Sequence, residues 1–243
     1  MPSLRGVKRR SNLVGDCFAL LAMTTVFFST PLFAFDVEGT IKVEAPYPVP
    51  AQIEVPKDHV AHCGAKRIST KLKISPEGAL ANAVIEVKGI PESAKMSPAS
   101  QNPVLDQKDC EFSPHILVIP EGATVNILNS EPVIHNVRAF DEKAAMLFNL
   151  AMQPEKIQMI KKRFDENGKY IVRCGIHKWM HAFVIVQEHP YYAVSDSSGR
   201  FKITGLPEGE YTLNIWHEEL GDLTAKVSAS NPNVSVVYPT QKK

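Results

Sequence analysis

The stretch YIVRCGIHKWMHAFVIV, residues 170–186, places a cysteine, two histidines and a methionine within eight positions, between two runs of β-forming residues. Read alone, it is a β-hairpin with an incidental thiol, because a free cysteine packs as a small hydrophobe. The alternative is a metal-binding loop, since Cys174, His177 and Met180 follow one another at intervals of three. The rest of the chain decides between the two.

Working outward, short runs rich in Val, Ile and Phe are separated by Gly, Pro, Asn and Asp. TIKVEA, AVIEVKG, HILVIP, ATVNILN, KYIVRC and AFVIVQ each read as a strand of ordinary length. Turn signals lie between them: PEGA at 120–123, NSEP at 129–132 and DENG at 165–168. This spacing predicts an all-β fold, a sandwich or barrel. One stretch differs. Residues 139–164 carry helix formers and methionines, which predicts a short helix or a long loop.

The N-terminus has the layout of a secretory signal peptide, residues 1–34. RGVKRR is basic, and the apolar stretch after it ends in a small residue at Ala34. Ser29, Thr30 and Pro31 break that stretch short of the roughly 18 apolar residues a membrane-spanning helix needs. A secreted or periplasmic protein is therefore expected, with no stable membrane insertion after cleavage. The whole chain has a formal charge of +1; without residues 1–34, 23 basic residues face 25 acidic ones, a net of −2. Neither value points to nucleic acid as a partner. Cys17 leaves with the leader, so Cys63, Cys110 and Cys174 remain, an odd number for an oxidising compartment. With His177 and Met180 beside Cys174, the economical pairing is Cys63 with Cys110, which leaves Cys174 free.

Thiolate and thioether are soft ligands and imidazole is intermediate, so the donor set favours copper over magnesium or calcium. A structural zinc takes four Cys or His ligands and has no use for the methionine. An iron–sulfur cluster takes more cysteines. A trigonal His₂Cys site with a weak axial Met, built for electron transfer, needs one more histidine. ILNSEPVIHNVRAF, residues 127–140, offers His135, followed by Asn136, just after a strand and a polar turn.

These two segments carry a family resemblance. CEFSPHILVIPEGATVNILNSEPVIHNV, 110–137, resembles the first half of a cupredoxin, the blue-copper family that includes plastocyanin, pseudoazurin and amicyanin. FDENGKYIVRCGIHKWMHAFVIV, 164–186, resembles the second half, with short ligand spacing similar to amicyanin. The resemblance covers about residues 100–188 and implies a Greek-key β-sandwich holding one type 1 copper. It implies His135, Cys174 and His177 as equatorial ligands and Met180 as the long axial one. Asn136 would tie the two ligand loops together. His177 would pierce a hydrophobic docking face formed by Trp179, Pro132 and Val133, where redox protein partners exchange electrons. Lys178 stands where related loops often carry proline, so it adds a positive charge beside that face.

Beyond Pro190, alternating strands flank the turns DSSG and LPEGE. PEGALANAVIEV, 76–87, and SDSSGRFKITGLPEGEYTL, 195–213, resemble the carboxypeptidase regulatory-like module, a small transthyretin-like β-sandwich. The expected organisation is a signal peptide (1–34), N-terminal strands that complete the second sandwich (35–98), a cupredoxin domain (99–188) and the small sandwich (189–243). His59, His62, His115, His181 and His217 have no assigned role in this picture; a second metal site requires some of them to converge. No acid–base pair, nucleophile triad or phosphate-cradling glycine loop stands out, so no hydrolase is read, and the cupredoxin resemblance implies an electron carrier rather than an enzyme. A copper-delivery protein and a subunit of a copper-containing redox enzyme are the rival classes.

Overall fold

The computed structural model describes residues 34–91, 94, 102–154 and 158–240. The expected leader lies outside the described residues except for Ala34, which opens the first strand. Among the described residues no helix is long and apolar enough to cross a membrane. In chain order the first elements are β1 (Ala34–Val43), β2 (Gln52–Glu54), a single helical turn α1 (Val60–Cys63), β3 (Lys66–Ile68) and β4 (Val84–Lys88). The middle of the chain forms β5 (Val104–Lys108), β6 (Glu111–Ser113), β7 (Ile116–Pro120), β8 (Ala123–Asn129) and β9 (His135–Phe140). It continues with β10 (Met146–Met152), β11 (Gln158–Phe164), β12 (Gly168–Arg173) and β13 (His181–Gln187). The last strands are β14 (Tyr192–Val194), β15 (Arg200–Pro207), β16 (Glu210–His217), β17 (Gly221–Ser228) and β18 (Asn233–Tyr238).

The fold is all-β. Strands β5 to β13 make two sheets, ordered β10-β9-β12-β13-β7 and β11-β8-β5-β6. The parallel pairs β13 with β7 and β5 with β8 show that the chain crosses between sheets rather than meandering. A second pair of sheets, β15-β1-β18 and β14-β4-β16-β17, draws on both ends of the chain. Alternation explains both cores. In β16, Tyr211, Leu213, Ile215 and His217 point inward while the residues between them do not, because successive strand side chains face opposite sides. One apolar core holds Leu105, Ile127, Val137, Phe164, Val172 and Val184. The other holds Ile41, Leu80, Ile85, Ile203, Leu213 and Val236.

Strand β13 is buried on both faces. Ala182, Val184 and Val186 enter the first core. Ile185 and Phe183 face the other way, into a smaller cluster with Val84, Ile116 and Trp216. Phe183 and Trp216 meet edge to face, 5.0 Å between centroids. One strand thus joins the two layers of apolar packing.

Among the described residues of 139–164 there is no helix. They supply β10, paired antiparallel with β9, and β11, paired antiparallel with β8. Helix propensities separate ordinary residues by at most about 0.7 kcal/mol each. A ladder hydrogen bond contributes about 1 kcal/mol net, so pairing with the waiting edges of β9 and β8 outweighs local preference.

A close backbone approach fixes one glycine. A Cβ at Gly39, in the central strand β1, would stand 2.3 Å from the Val234 carbonyl oxygen and 2.6 Å from the Phe201 ring. Gly39→Ala must therefore part β1 from β18, and it should lower stability by about 1–3 kcal/mol, as overpacked cores do. Urea unfolding measures this; an unchanged midpoint would contradict the packing of β1 against β18.

Candidate metal centre

Strand pairing brings the two histidine-bearing segments together. β9 and β12 run antiparallel, with Arg173 opposite Arg138. The start of β9, His135, and the residue after β12, Cys174, therefore lie at the same end of the sheet. The 174–180 loop closes on itself: the Cys174 N–H donates to the Met180 carbonyl (3.1 Å), and the Met180 N–H to the His177 carbonyl (2.9 Å). In the β8–β9 turn, the Asn129 side-chain amide donates to the Val133 carbonyl (2.8 Å). Its oxygen accepts the Glu131 N–H (3.3 Å).

The donor atoms of His135, Cys174 and His177 converge in the interior. Cys174 Sγ lies 3.9 Å from His135 Nδ1 and 3.7 Å from His177 Nδ1, and the two Nδ1 atoms are 3.0 Å apart. A first-row ion at about 2.0–2.1 Å from nitrogen and 2.3 Å from sulfur, in a trigonal plane, needs N–S edges of about 3.8 Å and an N–N edge of about 3.5 Å. The triangle has the right size for one ion after a small opening between the rings. Met180 is buried beside Cys174 in the same core. Exposure of the four side chains ranges from 0 to 2 %.

Outer contacts orient these donors. Asn136 joins the loops: its N–H reaches Cys174 Sγ (3.5 Å), and its side-chain oxygen accepts the Gly175 N–H (3.0 Å). The His177 N–H also points at Sγ, 3.3 Å away. The far nitrogen of His135, Nε2, lies 2.5 Å from Glu131 Oε1. Glu131 also contacts His62 Nε2 (2.9 Å) and accepts the Cys110 N–H (3.1 Å). A buried carboxylate on the outer nitrogen sets the tautomer, leaving Nδ1 free for an ion.

The electrostatics favour an anionic sulfur. Burial pushes the Cys174 thiol up, but the contacts from His135, His177 and two backbone N–H groups outweigh it and hold the thiol at about 5. Burial likewise opposes ionisation of Glu131, yet His135, His62 and the Cys110 N–H lower it to about 2. Burial disfavours charge on His135, but Cys174 and Glu131 more than compensate and raise it above its ordinary value.

The structure corrects the expectation about His177. Its imidazole does not pierce the surface; it is 0 % exposed. His59 covers it, with His59 Nδ1 3.3 Å from His177 Nε2 and the rings edge to face at 4.6 Å. His59 leads into α1, and the Cys63–Cys110 disulfide fastens that turn to the first sandwich. Arg67 adds bonds to the Cys63 carbonyl (3.2 Å) and Glu111 (2.6 Å). Trp179 is half-buried against the disulfide, its indole N–H donating to the Cys110 carbonyl (3.0 Å). Pro132 is exposed and Val133 is half-buried.

Sequence reasoning missed Glu131, His59 and His62. Glu131 had a visible signal, a carboxylate four residues before His135. His59 and His62 had none, because their partners lie far along the chain.

No known protein-family model matches the chain, and no curated protein does. Among solved structures it is similar to a purple cupredoxin from Nitrosopumilus maritimus, at 26% identity. That match covers 35% of this chain and 99% of the other, with a TM-score of 0.31. It is also similar to amicyanin from Paracoccus versutus, at 25% identity, covering 42% of this chain and 97% of the other, with a TM-score of 0.33.

Proposed function

We propose that the chain is a type 1 copper protein that carries single electrons between redox proteins. The observation that supports it is the buried Cys174–His135–His177 triangle, sized for one ion and lined by soft and intermediate donors. Copper bound there would supply a one-electron Cu(II)/Cu(I) couple. Cys174 offers the thiolate, His135 and His177 their Nδ1 atoms, and Met180 the axial thioether. Glu131 and Asn136 keep these donors in place through a change of charge. The four donor residues are at most 2 % exposed, which limits reorganisation around a bound ion.

Burial also favours a carrier over a delivery protein. A site that hands its ion to another protein needs an open face, and all four donors are enclosed. Electrons would leave through His177 and the partly exposed His59 above it, with Pro132 and Val133 on the neighbouring turn as docking contacts. In this reading residues 99–188 are the copper domain. Strands β1 and β4 from 35–98 and the strands of 189–243 complete a carboxypeptidase regulatory-like sandwich, whereas Val55, Val60 and Cys63 of the intervening segment pack on the first core. The leader and the disulfide suit a periplasmic or secreted protein.

The visible spectrum of copper-loaded protein tests the reading: an intense blue thiolate-to-copper band supports it, and a colourless copper complex overturns it. Asn136→Ala should keep the band but weaken copper retention about 10–100-fold, the usual effect of removing an outer contact. Competition with a copper chelator measures the loss.

A further inference from the structure

The strand that leaves the first site carries a second cluster on its opposite face. His181 opens β13 and shares its outward face with Phe183 and Ile185. There it meets His115, which leads into β7, and Glu218, in the turn between β16 and β17. His181 Nε2 lies 2.8 Å from Glu218 Oε2, and His115 Nε2 contacts the other carboxylate oxygen. The two imidazoles stand edge to face, 4.9 Å apart. All three side chains are nearly enclosed, at 7–8 % exposure. Burying three ionisable groups costs several kcal/mol unless each is compensated.

Hydrogen bonding fixes what these groups present to one another. His181 Nδ1 is 3.2 Å from the Trp179 carbonyl oxygen. A carbonyl only accepts, so Nδ1 carries the hydrogen. Nε2 is then the ring atom turned toward Glu218. Two acceptors at 2.8 Å repel unless a cation, a proton or a metal ion, lies between them. An imidazole whose second N–H is anchored on a backbone carbonyl is also how metal-bound histidines are held.

We infer that His115, His181 and Glu218 form a binding site for one divalent first-row ion of the zinc or copper class, separate from the Cys174 site. Two imidazoles and one carboxylate match a three-donor site with an open fourth position. Calcium and magnesium prefer oxygen alone. Ligand atoms around a tetrahedral ion stand roughly 3.3 Å from one another, so the 2.8 Å contact opens only slightly on binding. His181 and Glu218 line a cavity of about 520 Å³ whose wall also includes Arg138, Arg173 and Lys178. Arg138 Nε is buried there without a hydrogen-bond partner. The ion's open position thus faces space suited to water or a small anion. Cys174 borders the same cavity, which places the two sites side by side.

Zinc alone is the probe. Copper-loaded chain, freed of loose metal with a chelator, is titrated with zinc by calorimetry, and its metal content is measured after gel filtration. One zinc per chain should bind beyond the copper already present. Glu218→Gln and His115→Asn should each weaken that zinc by roughly 100-fold or more, beyond the effect of losing an outer contact, while the copper content stays unchanged. No zinc bound by the unaltered chain overturns the inference, as does zinc binding that both substitutions leave intact. Those outcomes would make the cluster a proton-bridged ion triad. The zinc count is read through Glu218 and His115, so it stands or falls independently of whether the first site is blue.

Discussion

Cys174→Ser will abolish the intense visible band and weaken copper retention by at least roughly 100-fold, more than the loss of an outer contact produces. The thiol sits at about 5, so at neutral pH it is already a thiolate, enclosed and aimed at His135 and His177. A serine hydroxyl stays protonated and supplies neither the soft donor nor the charge. The same geometry predicts the pH dependence of binding. His135 is raised above its ordinary value of about 6.5, so protons compete for its Nδ1 from near neutrality downward. Cys174 is lowered, so its binding form is fully present above about 5 and is lost as pH falls through that value. Apparent copper affinity should therefore decline from neutral pH, and more steeply below about 5, where binding displaces a second proton. Chelator competition between pH 8 and pH 4 measures both slopes; a pH-independent affinity would contradict the thiolate assignment.

Cys63→Ala/Cys110→Ala will lower stability by about 4 kcal/mol in the chain-entropy account, given the sequence separation of 47. That corresponds to a fall in Tm of order 10 °C for a domain of this size. Both sulfurs are buried in the first core, so lost packing acts in the same direction. The bond also fastens α1, and with it His59, over His177. Releasing it should expose the His177 edge, so that ascorbate reduces the copper-loaded variant faster than the parent. Calorimetry reads the first effect and stopped-flow absorbance the second. A variant of unchanged Tm would refute the stabilising role, and an unchanged reduction rate would refute the covering role of His59.

The candidate donors were legible in the sequence because they are local. Cys174, His177 and Met180 fall in one short loop, and His135-Asn136 follows a recognisable strand and turn. The strand periodicity was legible too, since alternation of buried and open residues is written into segments such as 210–217. The 139–164 stretch misled because its composition favours helix weakly, whereas its fate depends on partner strands β8 and β9. His59 and His115 had no readable role for a similar reason. Their partners, His177 and Glu218, lie 118 and 103 residues away.

By itself, then, the amino-acid order determined the all-β pattern, the kind of donors available, and which cysteine is left over from pairing. Tertiary structure alone decided that His177 is enclosed beneath His59, that Glu131 holds His135, and that His181 turns from the first site to meet His115 and Glu218. Period-two patterning specifies which face of a strand turns inward. It carries no record of which distant segment will be packed against that face, and that choice sets the environment of each histidine.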